Sequence, residues 1–161
     1  MSISIKKIEP GFLDLVNYGV CSTLSKLYGI EATKEVFKLA GETNFRELKS
    51  RIRIDSSTPV ATLRSIASYL EESGYMNAIN LTKVTEHEVI IDMYGVSVAE
   101  SSKRLVDGKM EPSHYITNMM FAALKELHHM EAEITHLDIQ IPKEEIDHVR
   151  EKWTLKRKDQ L

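Results

Sequence analysis

The stretch Pro112–Ile141, PSHYITNMMFAALKELHHMEAEITHLDIQI, changes its hydrophobic period midway. Over residues 112–129 apolar side chains crowd together: Tyr115, Ile116, Met119, Met120, Phe121, Ala122, Ala123, Leu124 and Leu127, with Lys125 and Glu126 the charged pair among them. That density predicts a long helix covered on more than one side. Residues 132–141 then alternate strictly, with Ile134, His136, Asp138 and Gln140 against Thr135, Leu137, Ile139 and Ile141. Period two predicts a strand, which Pro142 closes. A last strand, about His148 to Leu155, pairs back across the Pro142–Asp147 connection, leaving a polar tail, KRKDQL, frayed at the end.

Upstream of this stretch lies a second hairpin. Residues 78–84, AINLTKV, and 88–94, EVIIDMY, are rich in strand formers, and Thr85-Glu86-His87 turns between them. The polar segment Ala99–Met110, partly helical, separates that hairpin from the helix. The N-terminal half reads as three helices. Pro10 opens the first, whose apolar residues Phe12, Leu13, Val16, Val20, Leu24 and Leu27 recur at helical spacing until Gly29. The second runs from about Glu31 to Ile52, with Gly41 marking a kink or a close approach by another helix. Ser57-Thr58-Pro59 caps the third, and Gly74 ends it. Grouped helices followed by two hairpins around one helix predict an α+β fold. It consists of an N-terminal helical layer and a four-stranded antiparallel sheet, with the long helix between the hairpins, in a single domain over residues 1–161.

Composition narrows the function classes. The chain has 161 residues, a 42% hydrophobic fraction and a 28% charged fraction, ordinary for a globular protein. With 21 Lys and Arg against 24 Asp and Glu, the net charge of −3 lacks the basic footprint of a nucleic-acid binder. A single cysteine, Cys21, excludes an intramolecular disulfide and fits a reducing cytoplasm. The opening MSISIKKIEPGF lacks a signal-peptide core, and no apolar run is long enough to span a membrane. The expected location is therefore cytoplasmic.

Few residues carry recognisable chemistry. The seven glycines are scattered singly, so neither phosphate-binding glycine fingerprint occurs. The pairs Glu71-Glu72 and Glu144-Glu145 sit among polar neighbours and read as solvated faces. Cys21 has no histidine near it in sequence and reads as a buried, inert thiol. Six histidines, densest in HHMEAEITH, suit a transition metal by residue type but not by spacing. No metal or other cofactor is expected; were a metal bound, His128, His136 and His148 would be the ligands to examine. The methionines of the long helix are more informative, because methionine lines adaptable apolar surfaces. Tyr115, Met119, Met120 and Ala123 are accordingly the candidate residues for a small apolar ligand, with Tyr115 as the polar handle. Ordinary packing of a central helix is the competing reading of the same residues.

The element order resembles the fold shared by the vinyl-4-reductase (hydrocarbon-binding) domain family, the Bet-type subunits of the TRAPP vesicle-tethering complex and the haem-based nitric-oxide sensors. The phrases LVNYGVCSTLSKLYG (15–29) and GIEATKEVFKLAG (29–41) are similar to the opening helices of TRAPP subunits. VIIDMYG (89–95) and HYITNMMFAALKELHHMEAEITHLDIQ (114–140) are similar to the sheet–helix–sheet half of both groups. Three departures matter. The segment ITHLDIQIPKEEIDHVREKWTLK (134–156) lacks the hairpin cysteines of the vinyl-reductase domain. YGVSVAESSKR (94–104) does not match the haem clamp of the sensors, and Cys21 lies within the opening helix rather than after it, where TRAPP subunits are acylated. The resemblance implies the fold, a lipophilic cavity and pairing into a homodimer. The expected function is a non-catalytic binding or sensory module for a small apolar ligand. The alternatives are an enzyme or accessory protein of tetrapyrrole or other small-molecule metabolism, such as a vinyl reductase or hydrolase, and a structural assembly subunit.

Overall fold

A computed structural model describes residues 9–160; the expectation that the N-terminus lacks a leader rests on residues 1–8 and lies outside them, as does Leu161 of the tail. Helix α1 spans Pro10–Arg51 and is broken at Gly29, where φ is 79° and ψ 171°. Only glycine enters that region without strain, so the stop expected at Gly29 is a sharp break between two helical halves. Helix α2, Pro59–Glu72, starts where the sequence places it: the Thr58 hydroxyl accepts the Ala61 N–H at 3.1 Å and Pro59 takes the first turn. It ends in a Schellman-type turn, with the Tyr75 N–H on the Leu70 carbonyl and Gly74 at a φ of 76°.

The sheet is antiparallel throughout, in the order β1-β2-β4-β3. Its strands are β1 Ala78–Val84, β2 Glu88–Tyr94, β3 Met130–Gln140 and β4 His148–Arg157. The two hairpins lie side by side through the β2–β4 pairing, which matches Glu88 with Thr154 and Tyr94 with His148. Between β2 and β3 come α3, Ala99–Asp107, and α4, Tyr115–His128. The α+β architecture expected from the sequence is thus the observed one, with the long helix between the hairpins.

The differences have local causes. Helix α4 begins at Tyr115 rather than at Pro112, because His114 occupies the left-handed region at φ 44° and precedes the first turn. It stops at another left-handed residue, His129, at φ 55°, so β3 starts at once with Met130. A bulge between Ile134 and His136 adds a residue to β3 and breaks the strict alternation. Ile134 therefore joins Leu137 and Ile139 on the core side instead of sharing a face with His136. β4 runs on to Arg157, and the Lys158 N–H bonds the His129 carbonyl at 3.1 Å, so the tail is paired further than expected.

One face of the sheet meets α2 and α4 in a core built on Phe45, Leu63, Ile66, Ile91, Met120, Leu124, Trp153 and Leu155. The other face is polar. Glu88 meets Lys83 and Lys152 at 2.6 Å each, and Asp92 takes Arg150 and His148. The second half of α1 crosses α4 at Gly41, where an added Cβ would lie 2.5 Å from the Asn118 backbone. Of the two readings of Gly41, close approach by another helix is the one realised.

Because backbone rather than a flexible side chain occupies the space, Gly41→Ala forces α1 and α4 apart. The expected cost is about 1–3 kcal/mol, as for other overpacked sites, read as a lower urea midpoint with unchanged slope.

Candidate functional site

The site grows from the connection between α3 and α4, which is tied to α1 by short polar links. The Asn17 amide donates to the Ser101 hydroxyl at 2.8 Å, and its carbonyl oxygen accepts the Ser113 hydroxyl at 2.8 Å. The Cys21 thiol lies 3.6 Å from the same oxygen. Asp14 caps α3 by accepting the Ser101 N–H at 2.9 Å, and Ser25 accepts the Glu111 N–H at 3.1 Å. From the far side the Asn118 amide donates to the Ser113 carbonyl at 3.2 Å. These links hold His114, next in sequence, in a left-handed conformation that non-glycine residues seldom adopt. Strain of this kind persists only where the surroundings impose it.

What the strained turn achieves is an ion pair. His114 Nδ1 lies 3.3 Å from Oε1 of Glu151, and its Nε2 faces Glu111 at 4.0 Å. Glu151 is only 2% exposed and sits on the inner face of β4 between Val149 and Trp153. Its other oxygen, Oε2, accepts the Thr117 hydroxyl and the Trp153 indole N–H, each at 2.7 Å. Burial by itself pushes the His114 imidazolium pKa down, but the Glu151 carboxylate outweighs it, with a smaller contribution from Glu111, and the value rises above the ordinary one. Burial likewise pushes Glu151 up, and His114, Thr117 and Trp153 together bring it below the usual carboxylate range. Both shifts favour the charged pair, an imidazolium facing a carboxylate.

Beside the pair is a cavity of about 50 Å³. Met76, Met93, Ile116, Leu137, Ile139 and Val149 form its apolar wall, and Tyr75, Tyr115, His114, Thr117 and Glu151 its polar side. Burial raises the Tyr75 phenol beyond its usual range, and Tyr115 also moves up, so both present neutral hydroxyls. Two wider clefts lie outside. One of about 440 Å³ separates α1, α4 and β3, and its rim mixes signs, with Lys125 paired to Glu42 across it at 3.1 Å. The other, about 390 Å³, opens near Pro10 and carries Asp14, Glu100, Glu145 and Asp147.

Of the four ligand candidates, Tyr115 reaches the cavity, where its ring also meets Phe37 edge-on at 5.5 Å. Met119, Met120 and Ala123 lie in the packed core and do not line the cavity. The three histidines are held apart. His128 bonds the Thr62 hydroxyl at 2.8 Å, His136 pairs with Lys152 in the β3–β4 ladder, and His148 bonds Asp92 at 2.6 Å while stacked on Tyr94. Among the described residues no group of three metal-ligating side chains comes together. Cys21 is buried, and burial pushes its thiol up to about 11.

The sequence reading missed His114 and Glu151. One signal was available: in VREKWTL (149–155), the apolar positions Val149, Trp153 and Leu155 share a parity with Glu151, which puts one carboxylate on the inward face. Its partner lies 37 residues earlier, so pairing the two takes the folded chain. No protein-family model matches this sequence, and no curated protein does.

The pair makes a definite contribution to pH dependence. His114, raised, stabilises the fold below its ordinary pKa and ceases to as pH rises through the raised value; Glu151, lowered, stabilises above its ordinary pKa and ceases to as pH falls through the lowered one. Stability from the pair is thus greatest between the ordinary glutamate and histidine values. Urea melts across pH should show an alkaline decline beyond the ordinary histidine range that His114→Gln abolishes. Glu151→Ala, which strands a buried imidazolium, should cost about 3–5 kcal/mol.

Proposed function

We propose that this protein is a non-catalytic binding module for a small, largely apolar molecule, acting as a homodimer in the cytoplasm. The cavity beside His114 and Glu151 carries this reading: an apolar wall with a few convergent polar groups is the usual form of a small-molecule site. At about 50 Å³ it has room for several water-sized spheres, hence for a guest of a few non-hydrogen atoms. Met76 and Met93 in its wall give it room to adapt. The engagement of the reactive groups supports a binding rather than a catalytic role. His114 and Glu151 are paired to each other, and the Cys21 thiol stays protonated at neutral pH. The resemblance to the vinyl-4-reductase domain family belongs to the same reading. Among the described residues no helix is long and apolar enough to cross a membrane.

The homodimer rests on the first half of α1. Phe12, Leu15, Val16, Val20 and Leu27 recur at helical spacing on one side and stay exposed, Leu15 and Leu27 by more than two thirds. Gly19 lies within that stripe with open space above it. A contiguous apolar face of this kind marks an association surface, and twofold pairing is the commonest solution. Light scattering should give about twice the chain mass of 18.4 kDa. The double variant Val16→Asp/Leu27→Asp should revert to the single mass with its circular dichroism retained.

Two substitutions separate core from cavity. Ala123→Phe, in the packed core, should cost about 1–3 kcal/mol. Val149→Ile adds a methylene to the cavity wall and should be neutral or stabilising by up to about 2 kcal/mol. Xenon NMR should report binding to the wild type and weaker binding to Val149→Ile. An unshifted xenon signal with the wild type would remove the cavity as a binding site.

A further inference from the structure

Resting on the cavity reading above, we infer that the guest is a neutral molecule carrying a hydroxyl group, which donates to Glu151 and accepts from a cavity phenol, rather than a pure hydrocarbon or an acid. The donors and acceptors on the wall decide between these classes. The Thr117 hydroxyl and the Trp153 N–H both spend their protons on Glu151 Oε2. The Ser113 hydroxyl spends its proton on Asn17. Oε1 of Glu151 meets only the His114 imidazole among the described residues, at 3.3 Å. A carboxylate oxygen carries two lone pairs, so acceptor capacity remains at the most buried charge in the cavity wall. The same wall holds Tyr75 and Tyr115, whose hydroxyls can each donate once and accept.

A guest that only accepts, such as an ether or ketone, meets the phenols but leaves Oε1 unused. A hydrocarbon uses neither and keeps the polar wall from water. An anion meets the Glu151 carboxylate in the cavity wall, and the His114 imidazolium beside it is already paired to that carboxylate. An ammonium has the right sign but loses its hydration against an apolar wall, which costs far more than burying a hydroxyl. Of the guests compared, the hydroxyl compound alone both donates and accepts without a charge to desolvate. A hydrogen bond to a carboxylate is worth more than one between neutral groups, so this contact selects as well as holds.

Isopropanol, isobutane and acetate test this, since they share a four-atom skeleton and differ in the group offered to Glu151. Each is titrated into the full chain and followed by the methyl signals of Met76, Met93 and Val149. Isopropanol is expected to bind at least about tenfold more tightly than isobutane, as a charge-assisted hydrogen bond supplies, and acetate is expected to leave the signals unmoved. In Glu151→Gln the preference should shrink severalfold; the wild-type comparison decides the matter even where that variant fails to fold. Isobutane binding as tightly as isopropanol, or acetate binding at all, overturns the hydroxyl inference and leaves the cavity standing as a site. If none of the three binds, the cavity reading falls and this inference with it.

Discussion

A carboxylate on the inner face of a sheet has to be compensated, and much of this protein is arranged around doing so for Glu151. Moving such a group from water into an apolar interior is prohibitive unless it is paired and hydrogen-bonded. Here three groups compensate it. Two hydrogen-bond donors, from α4 and from β4 itself, meet one oxygen, and an imidazolium meets the other. The imidazolium comes from a residue whose backbone sits in a costly region, so the chain accepts local strain at His114 to deliver that charge. The polar links from Asn17, Ser25 and Asn118 then make sense as the means of holding the strained turn in place. A core of apolar residues of the same volume would need none of this.

The same arrangement explains why the cavity lies where it does. Helix α4 starts only after His114, and the cavity lies beside its first turn, walled by Ile116 and Thr117 with Met93, Val149 and Ile139 of the sheet. Further along, Met120, Ala123 and Leu124 pack with Trp153 and Leu155 and leave no comparable space. The methionines prominent in the sequence are thus core residues of the middle of α4, whereas the adaptable methionines of the cavity, Met76 and Met93, come from the sheet side. The crossing at Gly41 holds α1 close to α4 at Asn118, one turn beyond His114, so the strained turn, the crossing and the cavity form one continuous structure.

The two sheet faces show how differently charge is treated in and out of the core. On the outer face Glu88 and Asp92 sit among Lys83, Lys152, Arg150 and His148, in pairs whose Lys and Arg partners are half-exposed. Arg150 foremost, with Thr82 and His148, holds the Asp92 carboxyl well below its usual range. The Glu88 pairs, open to water, add little stability individually, whereas the Asp92 carboxylate is only 3% exposed and depends on its partners. These pairs also keep the outer face charged, which discourages edge-to-edge and face-to-face association there, while the apolar stripe on α1 is left open.

The sequence by itself determined the elements whose signals are local. Alternation set β1 and β2 to their observed ends, a hydroxyl and a proline set the start of α2, and glycine set the break at residue 29, because each depends only on neighbouring backbone and side chains. Tertiary structure decided what no short window contains. The β3 bulge moved Ile134 to the core face because burying it against Trp153 favoured one extra residue in the strand. The start of α4 shifted from Pro112 to Tyr115 because His114 is drawn to a carboxylate on a distant strand. Tyr115 was legible as a candidate because an aromatic at the mouth of an apolar helix is a local pattern; His114 and Glu151 were not legible as a pair, because an ion pair in the core is a property of two surfaces brought together by folding, and its strength comes from the water that folding removes.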